Sequence, residues 1–180
     1  ELAPHGDLLE HGAIGLADDD AVVPLPLLER GLLLGEMGSC PVLIAPRDPN
    51  LQGDGLAREG VETLRAGWAP DPLISELLPL QQLLALQQRH PDRQLRLMNI
   101  STAAAVDLLG QADRQLKASV CWWHLLVDGS SLSSTDPGCR VRPSLGGAAD
   151  RLSLRSALQS GVIQAVAVHA VPLDEEDMVL

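Results

Sequence analysis

The sequence has 180 residues, 46% hydrophobic and 21% charged, with Trp 3, Tyr 0 and Phe 0. This near-average composition excludes collagen-like, low-complexity and disordered classes, and the missing Phe and Tyr disfavour RNA and single-strand readers that stack bases on exposed aromatics. Lys+Arg 13 against Asp+Glu 24 gives −11, a charge that repels nucleic-acid phosphates and anionic membranes, so neither is an expected partner.

Lys117 is the only lysine. Cys40, Cys121 and Cys139 are an odd number with no Cys-x-x-Cys spacing, so neither a disulfide framework nor a zinc knuckle is indicated, and a reducing, cytoplasmic setting is expected. No apolar run approaches the ~20 residues of a spanning helix, and Glu1–Glu10 lacks the basic-then-apolar order of a signal peptide. Opening on Glu1 rather than Met reads as a processed, truncated or fragmentary chain.

In chain order, Gly12–Ala17 is an apolar run closed by Asp18, Asp19 and Asp20, as a buried strand entering a loop would be. Pro26 starts a helical pattern whose leucines, Leu27, Leu28, Leu32, Leu33 and Leu34, share a face up to Gly38. Pro41–Ala45 reads as a second buried strand and Pro46–Gly55 as a loop rich in Pro, Asp, Asn and Gly. Leu73–Gln88 has helical spacing, Leu95–Met98 is a third strand, and Ser101 is placed to cap a helix over Thr102–Leu116. Ala118–Trp122 is a fourth strand, Ser130–Gly147 an extended loop, Asp150 a cap for a helix over Arg151–Gln159, and Val162–Val168 a fifth strand.

Alternating helices and near-continuously apolar strands point to an α/β fold with a parallel sheet covered by helices. No Gly-x-Gly-x-x-Gly follows a strand and there is no Walker loop, so a nucleotide-binding doubly wound sheet has little support. The alternative is a TIM-type (β/α)8 barrel of ~250 residues, of which five strands would be the C-terminal portion. In either architecture function belongs at the carboxyl ends of the strands. These present Asp18–Asp20, Arg47 and Asp48, Asn99 and Ser101, Trp122, Trp123 and His124, and His169. The acidic cluster reads as a solvated loop rather than a cation site. His5, His11 and His90 fall at helix ends or turns, and Cys121, inside an apolar strand with no basic neighbour, reads as an inert thiol.

The order and content of the strand ends resemble the C-terminal two-thirds of a dihydroorotase, a cyclic amidohydrolase, over nearly the whole chain. Gly12-Ala13-Ile14-Gly15-Leu16-Ala17-Asp18-Asp19 is similar to the family's Gly-Ala-x-Gly-Phe-Ser-Asp-Asp. Pro41–Leu51, with Arg58-Glu59-Gly60 downstream, resembles the strand and loop written His-x-Glu-Asp in active members. Asn99-Ile100-Ser101-Thr102-Ala103 is similar to His-x-Ser-Thr-Ala, and Val120–Leu126 to Val-Thr-Pro-His-His-Leu-Leu. Most specific is the C-terminal part: Arg142-Pro143-Ser144-Leu145-Gly146, Asp150-Arg151, Ala157-Leu158, Gly161-Val162-Ile163 and Ala165–Pro172 follow the order Asn-Pro-Pro-Leu-Arg, Asp-Arg, Ala-Leu, Gly-x-Ile-Asp-x-Ile-Ala-x-Asp-His-Ala-Pro-His.

The resemblance implies a zinc-dependent hydrolase that interconverts dihydroorotate and carbamoyl aspartate in pyrimidine biosynthesis, in which imidazoles hold zinc, a zinc-bound hydroxide attacks the ring amide and an aspartate moves the proton. At the matching positions this sequence has Ala45 and Asn99 for two ligand histidines and Val168 for the aspartate. Alanine and valine do not coordinate cations, and a neutral amide oxygen is a poor zinc ligand. The substrate-holding Asn and Arg of Asn-Pro-Pro-Leu-Arg are Arg142 and Gly146. The family's remaining ligands, a His-x-His pair and a bridging carboxylate or carbamylated lysine, fall upstream of Glu1, and Lys117, at a helix-to-strand turn, does not replace that lysine.

The expectation is therefore a single partial amidohydrolase-like barrel domain over 1–180, of about five βα units, with no catalytic residue, no metal ligand and no cofactor in this segment. Asp48, Asn99, Ser101, His124, Arg142 and His169 are the substrate-pocket candidates. A pseudoenzyme of this kind is expected to act as a scaffold, with aspartate carbamoyltransferase or a second copy of itself as partner. The alternatives are an active amidohydrolase with a mononuclear or rebuilt site, using His124, His169, Asp48 and the acidic loop, and a small-anion binding module using Arg142 and His169.

Overall fold

Strands that are apolar on both faces need cover on both, and parallel pairing with helical crossovers supplies it. The computed structural model describes residues 3–18, 23–34, 37–112, 116–133 and 137–168. Its principal sheet takes β1 (Leu16–Ala17), β2 (Val42–Ile44), β5 (Leu95–Leu97), β6 (Lys117–Cys121) and β7 (Ala165–Ala167) in that spatial order, every pair parallel. Val42 lies opposite Leu95, Ile44 opposite Leu97, Leu97 opposite Ala118 and Val120 opposite Val166. The helices are α1 (His5–Glu10), α2 (Leu25–Leu33), α3 (Pro49–Gln52), α4 (Val61–Ala66), α5 (Ile74–Arg89), α6 (Ala103–Gln111), α7 (Trp123–Leu126) and α8 (Ala148–Ser160). Two short strands, β3 (Ala57–Arg58) and β4 (Pro70–Asp71), pair with each other outside the main sheet.

The core cluster contains no aromatic side chain: Leu28 and Leu32 from α2, Leu80 and Leu83 from α5, Ala105 and Leu109 from α6 and Leu154 from α8 meet Val42, Ile44, Leu95, Leu97 and Val120 of the sheet. Each buried Leu, Ile or Val contributes roughly 1.5–3 kcal/mol relative to exposure, so the chain builds its interior without Phe or Tyr. Among the described residues no helix is long and apolar enough to cross a membrane.

Several elements differ from the sequence reading. The first helix of the sheet cover stops at Leu33 rather than running to Gly38, because Leu34 turns to extended backbone and the Arg93 guanidinium satisfies the carbonyls of Leu32, Leu34 and Gly38 at 2.8, 3.1 and 2.8 Å. Thr102, not Ser101, caps α6, its hydroxyl accepting from the Ala105 N–H at 3.2 Å. That helix ends at Gln111, where Ala112 is extended; the expected run to Leu116 crosses 113–115, which lie outside the described residues.

Asp150 acts from the third position of α8 instead of its cap. One carboxylate oxygen accepts from Gly147 N–H and the other from Ala103 N–H, each at 2.8 Å, so it closes its own helix and pins the start of α6. The strand expected over Val162–Val168 shortens to β7 because Ile163 N–H goes back to the Ala157 carbonyl, keeping 162–163 in the turn, and only from Gln164, whose N–H donates to the Ala118 carbonyl of β6, does the chain join the sheet. In the stretch read as a loop, Asp48 starts α3, and the β3–α4–β4 excursion that follows was not expected at all.

Candidate functional site

The carboxyl ends of β2, β5 and β6 and the segment 143–145 converge on a group of buried polar side chains. At the end of β2, Ala45 is buried and Arg47 donates through Nε to Gln52 Oε1 at 2.7 Å. Gln52 in turn donates to Ser144 Oγ at 3.3 Å, tying α3 to the segment before α8. Asp48 works as a helix cap: its Oδ1 accepts from Asn50 N–H at 2.9 Å and Leu51 N–H at 3.3 Å, while its own N–H donates to the Ser75 carbonyl at 2.9 Å.

Beyond β5, Asn99 takes the left-handed region at φ 57, a conformation asparagine tolerates, and its N–H donates to Ser119 Oγ at 3.1 Å. Ser101 is fully buried, with its N–H on Glu76 Oε1 at 2.7 Å and its hydroxyl accepting from Arg58 Nη2 at 3.0 Å. Arg58 also donates through Nη1 to Ser75 Oγ at 2.7 Å, and it pairs with Asp71 Oδ1 at 3.1 Å and Glu76 Oε2 at 3.6 Å. The Ser75 hydroxyl in turn donates a hydrogen bond to Asp71 Oδ1 at 2.6 Å. Burial pushes the Glu76 carboxyl above the ordinary carboxylate range, against the pull of Arg58 and the hydrogen bonds from Ser101 and Thr102.

His124, at the start of α7 just past β6, is buried with Nε2 3.0 Å from the Pro143 carbonyl. A carbonyl accepts, so Nε2 carries the proton and Nδ1 is a bare, buried acceptor with no hydrogen-bond partner. Burial lowers its pKa to about 4, outweighing the carbonyl contacts that favour charge. Trp122 and Trp123 stack on each other at 4.5 Å, Trp123 donating to the Gly138 carbonyl at 2.9 Å. Arg142 is exposed, Val168 is 73% exposed, and His169, Asp19 and Asp20 lie outside the described residues.

The structure thus brings Ser101 and His124 to the buried group, places Asn99 beside it, gives Asp48 to a cap and leaves Arg142 at the surface. The residues that organise the group, Arg58, Asp71, Ser75 and Glu76, were missed by sequence reasoning. One signal was available: Glu76 sits on the same face of α5 as Leu80 and Leu83, and a charge on an apolar helical face calls for a buried partner. A groove of about 480 Å³ lined by residues including Leu32, Gly38, Arg89 and Arg93 lies at the opposite, amino-terminal end of β2 and β5, away from these groups.

Zinc does not fit the side chains at these strand ends. Ala45 offers a methyl group and Val168 an exposed isopropyl group, and the bare Nδ1 of His124 is a single donor where a catalytic zinc needs three. Among the described residues no group of three or more His, Cys, Asp and Glu is arranged to hold a metal ion.

No family model matches the chain. A probable dihydroorotase-like protein of Synechocystis sp. is 36% identical over 179 residues, covering 93% of this chain and 40% of that protein. The dihydroorotase of Mycobacterium leprae is 35% identical over 171 residues, covering 91% of this chain and 39% of that protein. This chain belongs to the dihydroorotase family. It spans about two fifths of the length of the curated relatives it matches. The family's fold agrees: a Thermus sp. D-hydantoinase superposes with TM-score 0.75 at 16% identity over 98% of this chain and 42% of that one. The dihydroorotase of Saccharomyces cerevisiae in complex with 5-fluoroorotic acid superposes with TM-score 0.68 at 14% identity over 97% and 52%. Matched to part of these chains, the dihydroorotase-like segment is α/β, with the parallel strands and outer helices of a TIM-type amidohydrolase barrel.

Proposed function

We propose that this chain is part of a dihydroorotase-like protein that does not hydrolyse cyclic amides, and that residues 1–180 contribute five βα units to one barrel domain. The observation that carries the reading is the side-chain set at the strand ends, where Ala45, Asn99 and Val168 stand at positions the family resemblance assigns to two metal-binding imidazoles and a proton-carrying carboxylate. Without an imidazole at either place, ligands for a catalytic zinc, which needs three protein donors and an open position, are missing from this part of the barrel.

The surroundings support the same reading, since Asp48 is spent on a helix cap and His124, through Nδ1, offers one donor in place of the two lost imidazoles. On this view the protein serves pyrimidine biosynthesis in the cytoplasm through assembly rather than turnover. Aspartate carbamoyltransferase is the partner the resemblance implies, with self-association as the other outcome.

Zinc stoichiometry tests the site directly. The intact protein, purified in the presence of zinc and desalted, is expected to retain less than about a tenth of an equivalent by elemental analysis, because this donor set lacks the three ligands a catalytic site needs. One or more tightly held equivalents would contradict the reading.

A further inference from the structure

We propose that Arg58 is the resident cation of these strand ends, cross-linking them as a bound metal would, so that the folded site depends on the guanidinium and is indifferent to metal. The inference rests on the reading of a lost metal centre and says what stands in its stead.

Two stretches distant from each other in sequence, residues 71–76 and Ser101, meet on this one side chain. Asp71 comes from β4, Ser75 and Glu76 from the first turn of α5, and Ser101 from the segment after β5. The two terminal nitrogens divide the work, Nη1 serving Asp71, Ser75 and the Pro72 carbonyl at 3.3 Å, and Nη2 serving Ser101 and Glu76. The fork is rigid, permanently charged and able to bind several acceptors in fixed directions, which a lysine ammonium does not reproduce. The backbone of Arg58 is fixed as well, its N–H donating to the Leu145 carbonyl at 3.1 Å and its carbonyl accepting from Thr63.

Through its partners the guanidinium reaches the candidate positions. Ser101 is two residues past Asn99, and the Ser75 carbonyl holds the Asp48 N–H. The positive charge also acts on His124, disfavouring a second cation there. Two carboxylates facing one guanidinium leave Asp71 Oδ2 and Glu76 Oε2 buried without hydrogen bonds. Removing the guanidinium would therefore strand two buried acids, whose attraction for any available divalent ion should then be exposed.

The test compares the intact wild-type protein with Arg58→Met in thermal melts, each with EDTA and with excess zinc. The wild type is expected to melt at the same temperature in both. Arg58→Met is expected to melt on the order of 10 °C lower in EDTA, the loss that follows from breaking a buried charge cluster in a chain this size, and to recover part of the difference in zinc. Should Arg58→Met yield no folded protein, Arg58→Lys decides through the melting temperature in EDTA: it keeps the charge and loses the fork, so it is expected to melt below the wild type and, with a cation still facing both acids, to gain nothing from zinc. A wild type destabilised by EDTA, a variant that melts with the wild type, or zinc that stabilises both equally would overturn the inference. These failures are separable from failure of the lost-hydrolase reading: turnover with zinc defeats that reading, whereas a variant that melts with the wild type, in a protein with neither turnover nor bound zinc, defeats only the role given to Arg58.

Discussion

Gly55→Ala is expected to lower the unfolding free energy by about 3 kcal/mol, the upper part of the range for forcing a methyl group into a packed site. A Cβ at Gly55 would lie 2.6 Å from Asp71 Cα and 2.7 Å from Asp71 N, distances that only backbone movement can relieve. That backbone is held in place: the Asp71 carbonyl accepts from Glu59 N–H, β4 is registered on β3, and the Asp71 side chain is bound to Arg58 and Ser75. A displaced Asp71 would carry the buried charge group with it. Gly110 is the matched control, because it lies exposed within α6 with nothing within 4 Å of its would-be Cβ. Gly110→Ala should stabilise by up to about 1 kcal/mol through helix propensity alone. Urea denaturation of both variants gives opposite signs if the packing is as described, and equal small shifts if Asp71 is free to move.

Acid is expected to cost this protein about 3 kcal/mol through His124 alone by pH 4, a figure that follows from the displacement of its pKa. The imidazole titrates near 6.5 when unfolded and at about 4 in the folded chain, where burial disfavours the cation. A depressed folded pKa means that the unfolded state binds more protons across the interval between them. Stability from this group is therefore complete above pH 6.5 and is lost as pH falls toward 4. Glu76 works in the opposite direction: its raised folded pKa means stability from that group is greatest in acid and declines as pH rises through the carboxylate range. His124→Gln separates the two, since the amide can still donate to the Pro143 carbonyl and does not titrate. The wild type should lose about 3 kcal/mol more than this variant between pH 7 and pH 4 in chemical denaturation. Parallel pH curves would show that His124 is not buried neutral.

The parallel sheet was legible because its strands are short apolar runs followed by helical periodicity, a pattern that survives without aromatic residues. Val42–Ile44, Leu95–Leu97 and Lys117–Cys121 fall inside or beside the runs read as strands, and Ile74–Arg89 matches its leucine spacing to within a residue at each end. Helix ends were less legible because they depend on distant groups. Arg93 closes the end of α2 from about sixty positions away, and Asp150 serves α6 as much as its own helix. The β3–α4–β4 excursion was hidden because two-residue strands carry no period.

The candidate site divided in the same manner. Strand-end residues Ser101 and His124 could be named from position alone, but Arg58 and Asp71 sit on those two-residue strands, and nothing local distinguishes them from surface charges. Their burial is a property of what faces them. The substitutions Ala45, Asn99 and Val168 were visible only by comparison with a motif, since an alanine after an apolar strand is otherwise unremarked.

Turnover bears most directly on the claim that the hydrolase centre is lost. The intact protein, supplied with excess zinc and given either dihydroorotate or carbamoyl aspartate, is expected to interconvert them no faster than zinc-containing buffer. Conversion at the rate of an active dihydroorotase assayed alongside would contradict the account.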